Sequence, residues 1–302
     1  MPFRLSEAID AFLTELRGRR YSPHTLVAYA EDLRLLAGLV ADTPPDRLAA
    51  HHIRRHLASL HASGFAASSL ARILSAWRSF FRHLAKQGHI EANPCLGIRP
   101  PKGAKRLPHV LSPDEMARLL EHETTPADPG DIDPLTQQDL AMFELMYSSG
   151  LRLAELVGLG LHGVDPASGE VRVLGKGNKE RIVPVGSPAL RALERWLAVR
   201  HLVARDEVAL FVGARGARIS PRVVQARLKA LALRQGLTLR VHPHALRHSF
   251  ASHVLQSSGD LRAVQEMLGH ASLSTTQVYT HLDFQHLAKV YDQAHPRARK
   301  KT

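Results

Sequence analysis

Six side chains scattered along the chain carry its most reactive chemistry: Arg152, Lys176, His244, Arg247, His270 and Tyr279. Arginine grips anionic oxygens through a planar fork, lysine and histidine pass protons, and a tyrosine phenol attacks once it ionises. Taken singly, each has an ordinary structural reading. Arg152 can pair with Glu155 one turn later, Lys176 can be a hairpin-tip charge, His270 a polar residue after a glycine helix end, and Tyr279 part of a core. Two other patterns lead nowhere. The glycines 158, 160 and 163 spell G-x-G-x-x-G, but they follow a helix and open onto a turn, which is the wrong context for a dinucleotide loop. His244 and His248 stand four apart on a helix, yet no acidic or cysteine partner lies at zinc-ligand spacing, so no metal site is expected and a zinc hydrolase is the weak rival.

The six residues lie in five motifs: Ser-Gly-Leu-Arg-Leu-Ala-Glu-Leu (149–156), Gly-Lys-Gly-Asn-Lys-Glu-Arg (175–181), His-Pro-His-Ala-Leu-Arg-His-Ser-Phe-Ala (242–251), Leu-Gly-His (268–270) and Thr-Thr-Gln-Val-Tyr-Thr-His (275–281). In residue type, order and spacing they resemble the tyrosine recombinases and phage-type integrases, and the likeness extends through the amino-terminal helical region. Within that family, residues 279–298 look most like the carboxyl end of the chromosome-dimer-resolving members.

The resemblance implies a mostly α fold with two parts. An amino-terminal helical, SAM-like core-binding domain (1–90) and a basic Pro-rich linker (91–108) precede a mixed α/β catalytic domain (109–302), mainly helical with a small antiparallel sheet. It also implies a metal-free, ATP-independent transesterification without cofactor. Tyr279 attacks the phosphate, Arg152 and Arg247 stabilise its non-bridging oxygens, Lys176 protonates the leaving 5′ oxygen, His244 relays the phenolic proton, and His270 binds the phosphate. Glu155 is expected to hold Arg152 in place from behind. The implied partners are double-stranded DNA with two half-sites, a paralogous recombinase in a cyclic heterotetramer, and a septum-located DNA translocase. A mobile-element integrase of the same chemistry and a non-catalytic DNA-binding protein are the alternatives.

The elements that must position these residues are legible in outline. Residues 6–88 read as four or so helices. In the last, Leu70, Ile73, Leu74, Trp77, Phe80, Phe81 and Leu84 recur at helical spacing, and a second stripe of Arg72, Ser75, Ser79, Arg82 and Lys86 is positively charged without an acid. That stripe, with Lys102, Lys105 and Arg106 of the linker, is the expected phosphate-binding surface. Ser112, Pro113 and Glu115 open the second domain with a capping box. Residues 139–159 read as two helical stretches broken at Gly150, residues 170–185 as a β-hairpin, and helices are expected from about 188 to the end. The apolar Leu282, Phe284, Leu287, Val290 and Tyr291 need a surface to cover, and a neighbouring protomer is the expected one.

Bulk composition agrees with such a partner. Lys plus Arg number 40 against 28 Asp plus Glu, a formal net charge of +12, which favours polyanions. At 44% hydrophobic and 23% charged, the 302 residues have the make-up of a folded protein, and their length predicts two domains. The single cysteine, Cys95, excludes an intrachain disulfide. The opening ten residues hold no apolar leader-like run, and a reducing cytoplasm is the expected setting.

Overall fold

The computed structural model describes residues 5–19, 21–40, 43–101, 110–121, 133–175, 180–237, 241–269, 290–291 and 293–296. The chain divides into two compact units, residues 1–106 and 107–302. Among the described residues no helix is long and apolar enough to cross a membrane, and no group of three or more His, Cys, Asp or Glu side chains is placed to hold a metal ion.

The first unit contains α1 (Leu5–Gly18), α2 (Pro23–Leu39), α3 (Ala50–Ala62) and α4 (Ala67–Lys86). Its core is built on α4, whose Leu70, Ile73, Leu74, Trp77, Phe80, Phe81 and Leu84 are all buried, as their spacing predicts. The Trp77 indole N–H donates to the Asp32 carbonyl at 2.8 Å, so the one polar atom of that ring is satisfied inside the core. One expectation is corrected here. Residues 91–98 are not linker, because Ile90, Cys95 and Ile98 are buried in this core. Arg78 fastens them by donating to the carbonyls of Cys95 (3.4 Å) and Ile98 (2.8 Å), and burial pushes the Cys95 thiol up to about 12 despite the Arg78 charge.

The second unit holds α5 (Pro113–Leu120), α6 (Pro134–Ser149), α7 (Leu153–Gly158), β1 (Val164–Asp165), β2 (Glu170–Leu174), β3 (Glu180–Pro184), α8 (Ser187–Arg200), α9 (Pro221–Arg234), α10 (Pro243–Ser258) and α11 (Leu261–Leu268). α5 starts with the expected capping box: the Glu115 N–H donates to Ser112 Oγ at 3.2 Å, and the Ser112 N–H donates back to Glu115 Oε2 at 2.8 Å. α6 is the central helix. It is buried nearly all round, and α8 and α10 make its most extensive contacts. The sheet is antiparallel in the order β1-β2-β3, with Val171 opposite Val183 and Val173 opposite Arg181.

Helices do not run unbroken from residue 188. Residues 201–220 form an irregular segment between α8 and α9, with isolated bridges Gly160–Ala209 and Val212–Arg218. Gly216 at φ +80° turns this segment back, and Gln138 of α6 clamps it by exchanging two hydrogen bonds with the Val212 backbone at 2.7 and 2.9 Å. The tail expectation is also revised in part. Val290, Tyr291 and Ala294 cover the core of their own chain, where the Tyr291 hydroxyl meets Ser148 Oγ at 2.7 Å and its ring stacks on His295 at 4.7 Å. An apolar surface next to α6 was available in cis, so these residues need no second protomer. Leu282, Phe284 and Leu287 lie outside the described residues.

Candidate active site

The α11 helix ends at Leu268, and Gly269 caps it in the left-handed conformation at φ +62°. A helix end exposes carbonyls without intrahelical partners. Here three consecutive ones each receive an arginine. The Met267 carbonyl accepts from Arg181 Nε at 3.0 Å, the Leu268 carbonyl from Arg247 Nη2 at 2.6 Å, and the Gly269 carbonyl from Arg152 Nη2 at 3.0 Å. The negative end of the helix dipole favours cations at this position. Gly269 is required twice over, for its positive φ and because a Cβ there would stand 3.0 Å from Arg181 Cδ.

Each arginine is delivered by a different element. Arg152 is the residue before α7, held where α6 stops at Gly150 and the chain turns. Arg247 lies one turn into α10, buried at 8% exposure, and its Nη1 donates to the Gly150 carbonyl at 2.5 Å. Burial, then the neighbouring Arg152 and Arg181 charges, lower the Arg247 pKa to about 10 against the opposing pull of Glu155, so it is still a cation at neutral pH. Both Arg247 terminal nitrogens are engaged by carbonyls, and each retains a second N–H for an anion. Arg181 is at the second position of β3, on the inward phase with Val183.

Glu155 ties the set together. Its side chain is 3% exposed and accepts four hydrogen bonds: Arg152 N–H (2.7 Å) and Arg181 Nη2 (2.9 Å) at Oε2, Arg152 Nη1 (2.7 Å) and Arg181 Nη1 (2.6 Å) at Oε1. Burial raises its pKa, but the hydrogen bond and charge of Arg181 and the two bonds from Arg152 outweigh this and hold the carboxyl below its ordinary range. Three guanidinium groups around one carboxylate leave a net positive cluster, the charge that a phosphodiester in transition requires.

Residues 109–286 match the phage integrase family, and residues 9–88 match its N-terminal SAM-like domain. The chain is 50% identical over 298 residues to tyrosine recombinase XerC of Alcanivorax borkumensis, covering 98% of this chain and 95% of that one. It is 51% identical over 300 residues to tyrosine recombinase XerC of Azotobacter vinelandii, covering 97% of each. The chain belongs to the phage integrase family of tyrosine recombinases. Its fold is similar to that of a lambda integrase dimer bound to a COC′ core site, at a TM-score of 0.69 and 19% identity over 92% of this chain and 100% of that one. It is similar in the same way to XerH bound to a palindromic difH substrate, at a TM-score of 0.69 and 23% identity over 91% of this chain and 81% of that one.

The other sequence-derived residues divide into three groups. His244 sits exposed on the first turn of α10, with its ring 6.4 Å from that of His242, while Arg247 one turn on faces inward. His242 itself is the α10 cap, with Nδ1 accepting from the Ala245 N–H at 3.1 Å. On α4, Arg82 and Lys86 are exposed, but Arg72 is engaged by the buried carboxylate of Asp32 at 2.5 Å, which compromises it as a free phosphate contact. Lys176, His270, Tyr279, Lys102, Lys105 and Arg106 lie outside the described residues. Sequence reasoning gave Arg181 no role. Its signal was a charged residue on the inward phase of a strand, in register with Val173, where an apolar side chain belongs.

Proposed function

We propose that this chain cuts and rejoins duplex DNA carrying two half-sites through a 3′-phosphotyrosyl link to Tyr279, and that it acts with an XerD-like paralogue in a cyclic heterotetramer to resolve chromosome dimers at dif-type sites during cell division. The observation that carries the chemistry is the convergence of Arg152 and Arg247, 95 residues apart in sequence, on adjacent carbonyls at the end of α11. His270 and Tyr279 follow that helix in the sequence. Near 50% identity along almost the whole chain to proteins named XerC favours this reading over a mobile-element integrase.

In this account the Tyr279 oxygen loses its proton, with His244 as relay, and attacks the scissile phosphorus. The bond to the 5′ oxygen breaks, and Lys176 gives that oxygen a proton. Arg152 and Arg247 carry the charge that builds on the non-bridging oxygens, and His270 binds the same phosphate. The ester keeps the phosphate activated, so a 5′ hydroxyl from a partner strand displaces the tyrosine and the DNA is rejoined without ATP. Residues 1–98 serve as a clamp on the duplex, residues 99–108 lead to residues 109–302, and a septum-located translocase supplies the partner for control.

The test is to incubate the chain, with and without its host's second tyrosine recombinase, with fragmented host chromosomal DNA, denature the mixture, and sequence the DNA that stays attached. The expected result is one paired half-site near the replication terminus, recovered far better with both recombinases. Recovery at the ends of mobile elements, or indifference to the second protein, contradicts the dimer-resolution reading.

A further inference from the structure

Arg181 is buried to 5% side-chain exposure and spends its donors on the site's framework. Nη1 and Nη2 form a parallel fork on the two oxygens of Glu155, and Nε holds the Met267 carbonyl. Arg152 therefore meets an acid that is already bridged. Its guanidinium reaches Glu155 through Nη1 alone, Nη2 goes to the Gly269 carbonyl, and its side chain keeps 34% exposure. A lone carboxylate three residues away would instead draw this arginine into a two-pronged pair and cancel its charge.

We propose that Arg181 is a positioning residue for strand cleavage: by sharing Glu155, it keeps Arg152 an accessible, only partly compensated cation directed at the scissile phosphate. The charge count follows the geometry. Arg152, Arg181 and Arg247 against Glu155 leave two positive charges, and removing Arg181 leaves one. Arg181 also joins β3 to the end of α11, so the same contact links the hairpin that carries Lys176 to the segment that leads to His270. The proposal rests on the proposed function above.

The test measures single-turnover formation of the protein–DNA adduct on a nicked duplex carrying the recovered half-sites, below the lowest melting temperature of the variants and with DNA binding checked in parallel. Arg181→Gln, which retains a donor to Glu155 but no charge, is expected to slow adduct formation by about 10², the size of effect typical of losing one transition-state donor. Arg181→Lys keeps the charge but offers Glu155 a single ammonium in place of the fork, so its rate is expected to fall between those of Arg181→Gln and the wild type. The deciding comparison adds Glu155→Gln to Arg181→Gln. With no carboxylate to capture Arg152, the double variant regains about tenfold or more over Arg181→Gln alone. A simple structural brace predicts the reverse, a double variant no faster than the single one. A wild-type rate in Arg181→Gln, or no recovery in the double variant, overturns the proposal while the recombinase reading stands. No adduct from the wild-type chain overturns the recombinase reading itself. If Arg181→Gln does not fold, the comparison is made by adding Glu155→Gln to Arg181→Lys, and no gain over Arg181→Lys alone overturns the proposal.

Discussion

At the scale of single residues, Glu155 shows how the site is held and at what pH the hold fails. Its folded pKa lies below the ordinary 4.5, so its pairing contributes stability that is complete above that value and is lost as pH falls through the lower, folded one. Glu155→Gln removes one member of a buried pair and is expected to cost about 3 kcal/mol at neutral pH. It also flattens the acid limb: as pH falls below 4.5 the variant loses less stability than the wild type in urea titrations. An unchanged acid limb would show that Glu155 does not ionise differently on folding. Arg72 makes the complementary case on α4. Arg82→Ala and Lys86→Ala are each expected to reduce the salt dependence of DNA binding by a log–log slope of about one while leaving melting nearly unchanged. Arg72→Ala is expected to lower melting instead, because it strands the Asp32 carboxylate, whose pKa burial already raises against the pull of Arg72. Equal effects of all three on the salt slope would return Arg72 to the phosphate surface.

At the scale of elements, the ends of helices do the positioning. α6 stops at Gly150, whose φ of +57° admits the turn that presents Arg152 and whose carbonyl anchors Arg247. A Cβ at Gly150 would lie 2.4 Å from the Phe250 ring, so Gly150→Ala meets both backbone strain and overpacking. The expected loss is about 2–4 kcal/mol by urea denaturation, accompanied by slower adduct formation because the Arg247 anchor moves. A shift under about 0.5 kcal/mol would mean that Phe250 relaxes freely. Much of this was legible in the sequence. The α4 apolar face, the Ser112 capping box, the break at Gly150 and the β2–β3 hairpin follow from periodicity and turn chemistry, which are local. Arg181, the in-chain packing of Tyr291 and the burial of Cys95 were not legible, because each is decided by a partner distant in sequence: Glu155 and Met267, Ser148, and Arg78.

At the scale of the whole molecule, the chain has two units with separate hydrophobic cores, Trp77 in one and Trp196 in the other. A net charge of +12 over the whole chain favours DNA without specifying any sequence, so affinity alone does not distinguish a recombinase from a DNA-binding protein. The covalent step does. The most direct measurement is denaturing electrophoresis of the chain after incubation with a nicked suicide duplex bearing its paired half-sites. A denaturant-stable adduct is expected from the wild type, none from Tyr279→Phe, and a yield rate lower by about 10² or more from Arg152→Ala and from Arg247→Ala. An adduct that persists in Tyr279→Phe, or that forms at the wild-type rate without either arginine, would contradict the claim that these arginines and this phenol act on one phosphate.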